Sequence, residues 1–438
     1  MARRPRRRTR LFPRWGWRKA WPAPIAPASD PRLRESVPIV TQTQILRLAA
    51  KGDGMAADGR YIAGAAPGDM VDADGAITPG PNHAAPACAH FGACGGCQLQ
   101  HVGDDALADF VRDRVAHAAS GQGLTPGVVT AAHLSPAQSR RRASLRAARV
   151  GGAVALGFSE GGSHKIIDLK ECPVLVPELA ALLGPLRRLL ARRDGRLSVE
   201  IDMTLAEQGV DVAIKGLTVE GLQQTEAVMD FAKAQGLARL SLDQGYGPES
   251  MWEPDGVSVS LSGVSVPLPP GAFLQATLDG EQALVGAAVE WLAGVKLVAD
   301  LFSGLGTFAF ALAQGGAKVL AAEADRAAHL ACKAAAGRAQ LPVHGLHRDL
   351  FRNPLLAEEL NRFGAVVLDP PRAGAREQVG RIATSTVGRV VYISCNPASW
   401  ARDAATLVAA GYRLAELRPV GQFRWSTHVE LASLFIRD

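Results

Sequence analysis

The chain has 438 residues, 47% apolar and 21% charged, an ordinary folded-protein composition with room for two or three domains. No apolar run approaches the roughly eighteen residues of a membrane span, and MARRPRRR lacks the apolar stretch of a secretory signal. A cytoplasmic protein with no membrane partner and no evident obligate protein partner is therefore expected. The net charge of +6 is unevenly placed: residues 1–35 hold eleven Arg and Lys against Asp30 and Glu35, a balance of +9, so the remainder carries −3.

Residues 1–38, rich in Pro and Arg, read as a disordered basic tail. It is either a non-specific nucleic-acid arm or an extended start without a role. Over 39–78, QILRLAAKGDGMA and GRYIAGAAPGDMVDA alternate apolar residues with Gly-Asp and Pro-Gly turns, which predicts short strands of a small antiparallel barrel. The Pro-rich AITPGPNHAAP reads as a linker. A helix follows over 104–118, with Leu107, Phe110, Val111 and Val115 on one face, expected against the last domain. The stretch from 79 to 268 is mixed, with strand-like GGAVALGFSE and VSVSLSGVSV around a helix near 176–192.

The last part, 269–438, has the clearest pattern. KLVADLF, KVLAAEAD, AVVLDPP and VVYISCN are short buried-strand runs that alternate with helical stretches at 307–314, 325–337 and 375–385. Strand and helix in alternation predict an α/β domain with a Rossmann-like parallel sheet, whose ligands bind beyond the carboxyl ends of the strands. The four runs end in Asp300 with Gly304 and Gly306, in Glu323, in Asp369 and in Cys395.

The loop GLGTFA fits a backbone that approaches a nucleotide, and Glu323 stands where a carboxylate can accept from ribose hydroxyls. A nicotinamide dehydrogenase and an S-adenosylmethionine enzyme fit these two features equally. Asp369-Pro370-Pro371-Arg372 separates them. Amino-group methyltransferases usually carry Asn-Pro-Pro-aromatic there, whereas a carboxylate suits a ring N–H such as uracil N3. Cys395, which a dehydrogenase has no evident use for, reads either as a small core residue or as a nucleophile. Asn396 and Pro397 start a helix directly after it, whose positive end would favour thiolate. Methylation of uracil C5 needs a thiolate to add at C6 and a base to remove the C5 proton. Glu430, two residues after His428 in QFRWSTHVE, is a candidate base; its other reading is an exposed carboxylate opening the last strand.

The combination C-x5-C-G-G-C with a distant cysteine, F-x-Q, D-x-F-x-G-x-G, D-P-P-R, S-C-N-P and H-V-E resembles the RNA uracil-5-methyltransferase family, in particular its iron–sulfur members that modify 23S rRNA. The resemblance runs from about residue 41 to the end. It implies Cys395 as nucleophile and Glu430 as proton acceptor, with Gln275, Phe302, Gly304, Gly306, Glu323 and Asp369 around S-adenosyl-L-methionine or the uracil, and Asp349 on the adenine side. It also implies that 39–78 is a shortened TRAM-like RNA-binding barrel, and that RNA is the partner, rRNA ahead of tRNA. Two features depart from the family: Ser303 replaces a usual cysteine, and Gly421, Phe423, Arg424 and Ser426 replace a usual Asp-x-Phe-Pro-x-Thr. A tRNA enzyme and a non-catalytic RNA-binding protein on the same fold are the competing functions.

Cys88, Cys94 and Cys97 with distant Cys172 give four thiolates, enough for tetrahedral zinc or a [4Fe-4S] cluster. Three close cysteines and one remote favour the cluster. Gly95 and Gly96 read as a sharp turn that lets the backbone approach its sulfides. The run SRRRASLRAAR, with Arg140, Arg141, Arg142, Arg146 and Arg149, reads as a phosphate-contacting patch or as a solvated charge run.

Overall fold

The four apolar runs of the C-terminal third form adjacent parallel strands. In a computed structural model, which describes residues 42–437, they lie in the spatial order Lys318–Glu323, Leu297–Leu301, Ala365–Leu368 and Arg389–Ser394. Val343–His347 extends the parallel part at one side. At the other side Glu430–Ile436 pairs antiparallel with Arg389–Ser394, and Arg413–Gly421 pairs antiparallel with Glu430–Ile436. The short strands Val128–Val129 and His133–Leu134 complete this nine-stranded sheet.

Helices Thr307–Gln314, Arg326–Arg338, Arg376–Ala383 and Pro397–Ala409 connect the strands. They cover both faces, which is why Ala365–Leu368 can be apolar at every position and buried throughout. On one face Val298, Phe308, Phe310 and Val367 pack with the hairpin of Ser258–Leu261 and Val264–Pro267. On the other, Leu301, Leu368, Tyr392 and Trp400 belong to a core that continues into the preceding part of the chain.

That part holds a six-stranded sheet built around Arg142–Val150, Ser198–Ala206 and Gly209–Lys215. The helix expected near 176–192 is two helices, Pro177–Ala181 and Leu183–Ala191. Pro185 has no N–H for the carbonyl of Ala181 and its ring would clash there, so one continuous helix cannot pass this point. Ahead of it, Gln42–Leu48, Gly54–Ala56, Tyr61–Ile62, Met70–Asp72 and Ile77–Thr78 form a curled antiparallel sheet around Ile45, Ala56, Ala65 and Val71. Its last strand ends at Thr78, inside the start of the Pro-rich stretch and within the 39–78 expected for the barrel. The basic tail, residues 1–38, lies outside the described residues. Helix Asp104–Ser120 packs against helix Pro397–Ala409 and strand Arg413–Gly421. Among the described residues no helix is long and apolar enough to cross a membrane.

Candidate active site

The carboxyl edge of the parallel sheet gathers the chemically pointed residues. Leu297–Leu301 runs into Phe302, which adopts φ +64°, and the chain turns through Gly304 and Gly306 into helix Thr307–Gln314. Gly306 has φ +97°, and a Cβ there would stand 2.7 Å from the Phe310 ring and 2.8 Å from Cys332 Sγ. Only glycine fits. Glu323 braces this loop: its Oε2 accepts from the Gly304 N–H at 2.9 Å and its Oε1 from the Asp325 N–H at 2.7 Å. One lone pair on each oxygen remains for a ligand hydroxyl.

Cys395 follows strand Arg389–Ser394 directly. Asn396 caps the next helix by accepting from the Ala398 N–H, and Pro397 takes its first turn, as the local sequence dictates. The Asn396 amide and the Ser399 hydroxyl both donate to the Arg372 carbonyl, at 2.9 Å each. The segment Asp369–Arg372 is thereby tied to the thiol-bearing turn.

The expected ease of forming a thiolate is not found. Burial, then the charges of Glu430 and Asp369, push the Cys395 thiol up to about 11; Arg372 opposes them and loses. Glu430 opens strand Glu430–Ile436 but is buried, so the exposed-carboxylate reading fails. Burial and then Asp369 raise it to about 8. Asp369 is pushed to about 7 by burial. Asp300 rises to about 8 through burial, then through the charges of Asp369 and Glu323. Both Asp300 carboxyl oxygens and the Ser303 hydroxyl are buried without a hydrogen-bond partner among the described residues. Such orphaned groups beside a glycine loop fit a polar, cationic ligand such as an amino-acid sulfonium.

A chain of amides runs up to Asp369. Gln422 Oε1 accepts from the backbone N–H groups of Ala276 and Thr277 at 3.0 and 3.4 Å, which identifies that atom as oxygen. Gln422 Nε2 therefore donates to Gln275 Oε1 at 2.9 Å, and Gln275 Nε2 donates to Asp369 Oδ2 at 3.2 Å. Gln275 keeps a second N–H. Its own carbonyl accepts from Arg141 Nε at 3.1 Å, and Arg141 pairs with Glu281 at 2.6 Å. Gln422 was not readable from sequence, because its partners lie about 146 residues away.

Asp349 stands apart from this group. Its Oδ1 accepts from the Phe351 and Arg352 N–H groups in a local turn. What the turn presents is Phe351, whose ring lies 5.3 Å from that of Phe302. An aromatic pair at the loop mouth is invisible in residue spacing.

All four clustered cysteines, Cys88, Cys94, Cys97 and Cys172, line one cavity together with Phe158 and Arg140. No three of their sulfurs lie within 4.8 Å of one another; the group that does is Cys88, His90 and Glu171. His90 is not a free ligand: its Nε2 accepts from the Lys170 N–H at 3.1 Å. Its Nδ1 therefore carries the proton and points an N–H toward Cys88 Sγ at 3.5 Å. Gly95 and Gly96 do not adopt left-handed backbone. Gly95 is needed because a Cβ would stand 2.7 Å from the Ser159 carbonyl.

The arginine run is a strand more than a patch. Arg141 is buried in its ion pair, and Arg149 spends its donors on the carbonyls of Gly195, Gly152 and Arg193. Arg140 stacks on Phe158 and Phe423, at 5.7 and 5.3 Å to the ring centres. The solvated or phosphate-binding reading thus fails for Arg141.

The buried acids set a pH dependence. Glu430 binds its proton with a folded pKa near 8 against 4.5 for the free group, so the folded state holds a proton that the unfolded chain releases. Stability contributed this way is present below about pH 4.5 and is lost as pH rises toward 8. Glu430→Gln is expected to raise the Tm of the ligand-free protein at pH 8, with a gain that shrinks toward pH 5. A calorimetric Tm at pH 8 no higher than that of the parent would contradict the buried-acid description.

The profile of the tRNA (Uracil-5-)-methyltransferase family matches residues 347–438. The chain is 47% identical over 395 residues to an uncharacterized RNA methyltransferase of Zymomonas mobilis, covering 90% of this chain and 99% of that one. It is 33% identical to the 23S rRNA (uracil(1939)-C(5))-methyltransferase RlmD of Halomonas elongata, covering 87% and 86%. The crystal structure of Pyrococcus abyssi tRNA (uracil-54, C5)-methyltransferase in complex with S-adenosyl-L-homocysteine aligns with a TM-score of 0.68 at 22% identity, over 90% of this chain and all of that one. With the fold and the sequence relatives in agreement, the chain belongs to the S-adenosylmethionine-dependent RNA uracil-5-methyltransferase family.

Proposed function

We propose that the protein methylates C5 of a uridine in structured 23S rRNA through a covalent cysteine adduct. The observation that carries this reading is the meeting of Cys395, Asp369 and Glu430 at one sheet edge, where Cys395 feels the charges of Glu430 and Asp369, and Glu430 that of Asp369. The Cys395 thiolate forms a bond to C6 and the ring electrons move onto O4. C5 then takes the sulfonium methyl, whose bond to sulfur breaks to leave S-adenosylhomocysteine. Glu430 removes the C5 proton, the C5–C6 double bond re-forms, and the thiolate leaves.

The raised thiol has a rationale in this sequence. A uracil N3–H donated to Asp369 takes part of the negative field off Cys395 and favours thiolate once substrate is bound. An empty site then keeps its thiol protonated and inert. Gln275, held by Gln422, has its second N–H available to a uracil carbonyl. Phe302, Gly304, Gly306 and Glu323 hold the methyl donor at the glycine loop, where Asp300 offers an orphaned carboxyl, and Asp349 shapes the outer rim through Phe351.

The rRNA assignment rests on the Halomonas relative and the four cysteines; the described sheet at 42–78 serves RNA binding, with the following part up to 268 holding the cysteine site. A tRNA substrate is the second reading, favoured by the description of the matching family profile. Mapping 5-methyluridine in 23S rRNA and tRNA from a strain lacking the gene separates them. Cys88, Cys94, Cys97 and Cys172 would hold a [4Fe-4S] cluster that supplies loop-folding energy. Anaerobically purified full-length protein should be brown with about four irons per chain; stoichiometric zinc without iron would refute the cluster.

The division of labour is open to trapping. Cys395→Ala should abolish methylation and every covalent RNA attachment. Glu430→Gln should accumulate a methylated RNA–protein adduct that survives denaturing electrophoresis, because loss of a general base costs about two to four orders of magnitude in elimination. A Glu430→Gln protein that turns over normally would overturn the assignment.

A further inference from the structure

The segment 422–429 carries the chain into Glu430, yet it forms no strand of its own. Its shape is held from the cysteine loop. The N–H groups of Gln98 and Leu99 both donate to the Trp425 carbonyl, at 2.8 and 2.9 Å. Trp425 itself sits at φ +60°, a left-handed conformation that a bulky residue adopts only when its surroundings impose it. The Gln98 side chain adds a second tie: its Oε1 accepts from the Thr427 N–H at 3.3 Å while its Nε2 donates to the Gly95 carbonyl at 2.6 Å. One residue, directly after Cys97, thus grips the chain five and three positions before Glu430, through its backbone at Trp425 and its side chain at Thr427.

We infer that Gln98 is a positioning residue for Glu430: it locks the left-handed turn at Trp425 and Thr427 to the cysteine loop, and so sets where the carboxylate stands relative to C5. The Thr427 N–H has Gln98 Oε1 as its hydrogen-bond partner. Thr427 and Trp425 have no ladder partner, and the amide of Gln98 is anchored from behind by Gly95, in a loop whose own placement depends on the cysteines. The site's acid–base half therefore depends on a segment more than 300 residues earlier in the chain. This inference rests on Glu430 acting as the base.

Gln98 is only partly buried, so Gln98→Ala leaves little void. In that variant, attack and methyl transfer in a single turnover should proceed at the parent rate, while release slows by about ten- to a hundredfold and methylated adduct accumulates. Amide exchange at Thr427 should quicken about tenfold, the cost of one lost hydrogen bond. Glu430→Gln is run beside it. If Glu430→Gln traps adduct and Gln98→Ala does not, with unchanged exchange at Thr427, the inference is overturned. If Glu430→Gln traps nothing, the base assignment fails, and the exchange measurement alone decides whether Gln98 holds the segment. Should the Ala variant not fold, exchange in the parent protein decides: Gln98, Leu99 and Thr427 amides opening with one common protection support the tie, and independent protection overturns it.

Discussion

Charge crowding at one sheet edge governs this molecule. Asp300, Asp369 and Glu430 are all pushed upward, chiefly by burial, and a thiol shares their space with Arg372 as the cation that opposes them. Such an arrangement is costly for an empty protein, and the stability must come from elsewhere: from the two apolar cores and from the amide chain of Gln422, Gln275 and Asp369. What the cost provides is a set of groups that titrate near neutrality and respond to a ligand. A carboxylate near 8 is a far better base for a carbon-bound proton than one near 4.5.

The sheet makes this crowding possible. Arg389–Ser394 lies between a parallel neighbour that ends at Leu368, just before Asp369, and an antiparallel neighbour that begins at Glu430, with Ser394 opposite Leu431. A strand end and a strand start therefore meet at the same edge. Reversal of the last hairpin is what brings a residue near the C-terminus beside a thiol 35 positions earlier. On the far side of Glu430, the cysteine loop and the turn at Trp425 fix its approach.

Much of this was legible because parallel strands buried on both faces write themselves as continuous apolar runs. KLVADLF, KVLAAEAD, AVVLDPP and VVYISCN each became a strand, and each pointed terminal residue faces the same edge. The central sheet was hidden for the opposite reason. Arg142–Val150 turns Ala143, Leu145 and Ala147 inward, and small alanines between arginines look like a charge run rather than an alternating strand. The two-helix break at Pro185 was a local signal that could have been read. Gln422, Gln98 and Phe351 could not: their roles come from contacts across the fold, and a glutamine or phenylalanine in a loop carries no periodic mark. The raised thiol is hidden from the sequence because a helix start is visible there, whereas burial and then the charges of Glu430 and Asp369 are set by the fold.

The central claim, that C5 of uridine exchanges a proton for a methyl group at this edge, has a direct measurement. RNA transcribed with uridine tritiated at C5 is incubated with the protein and S-adenosylmethionine, and tritium in water is counted against methyl incorporated. The account predicts tritium release equal to methyl transfer, dependent on the methyl donor and absent in Cys395→Ala. Methyl incorporation with the tritium retained would place the reaction at another atom and contradict it.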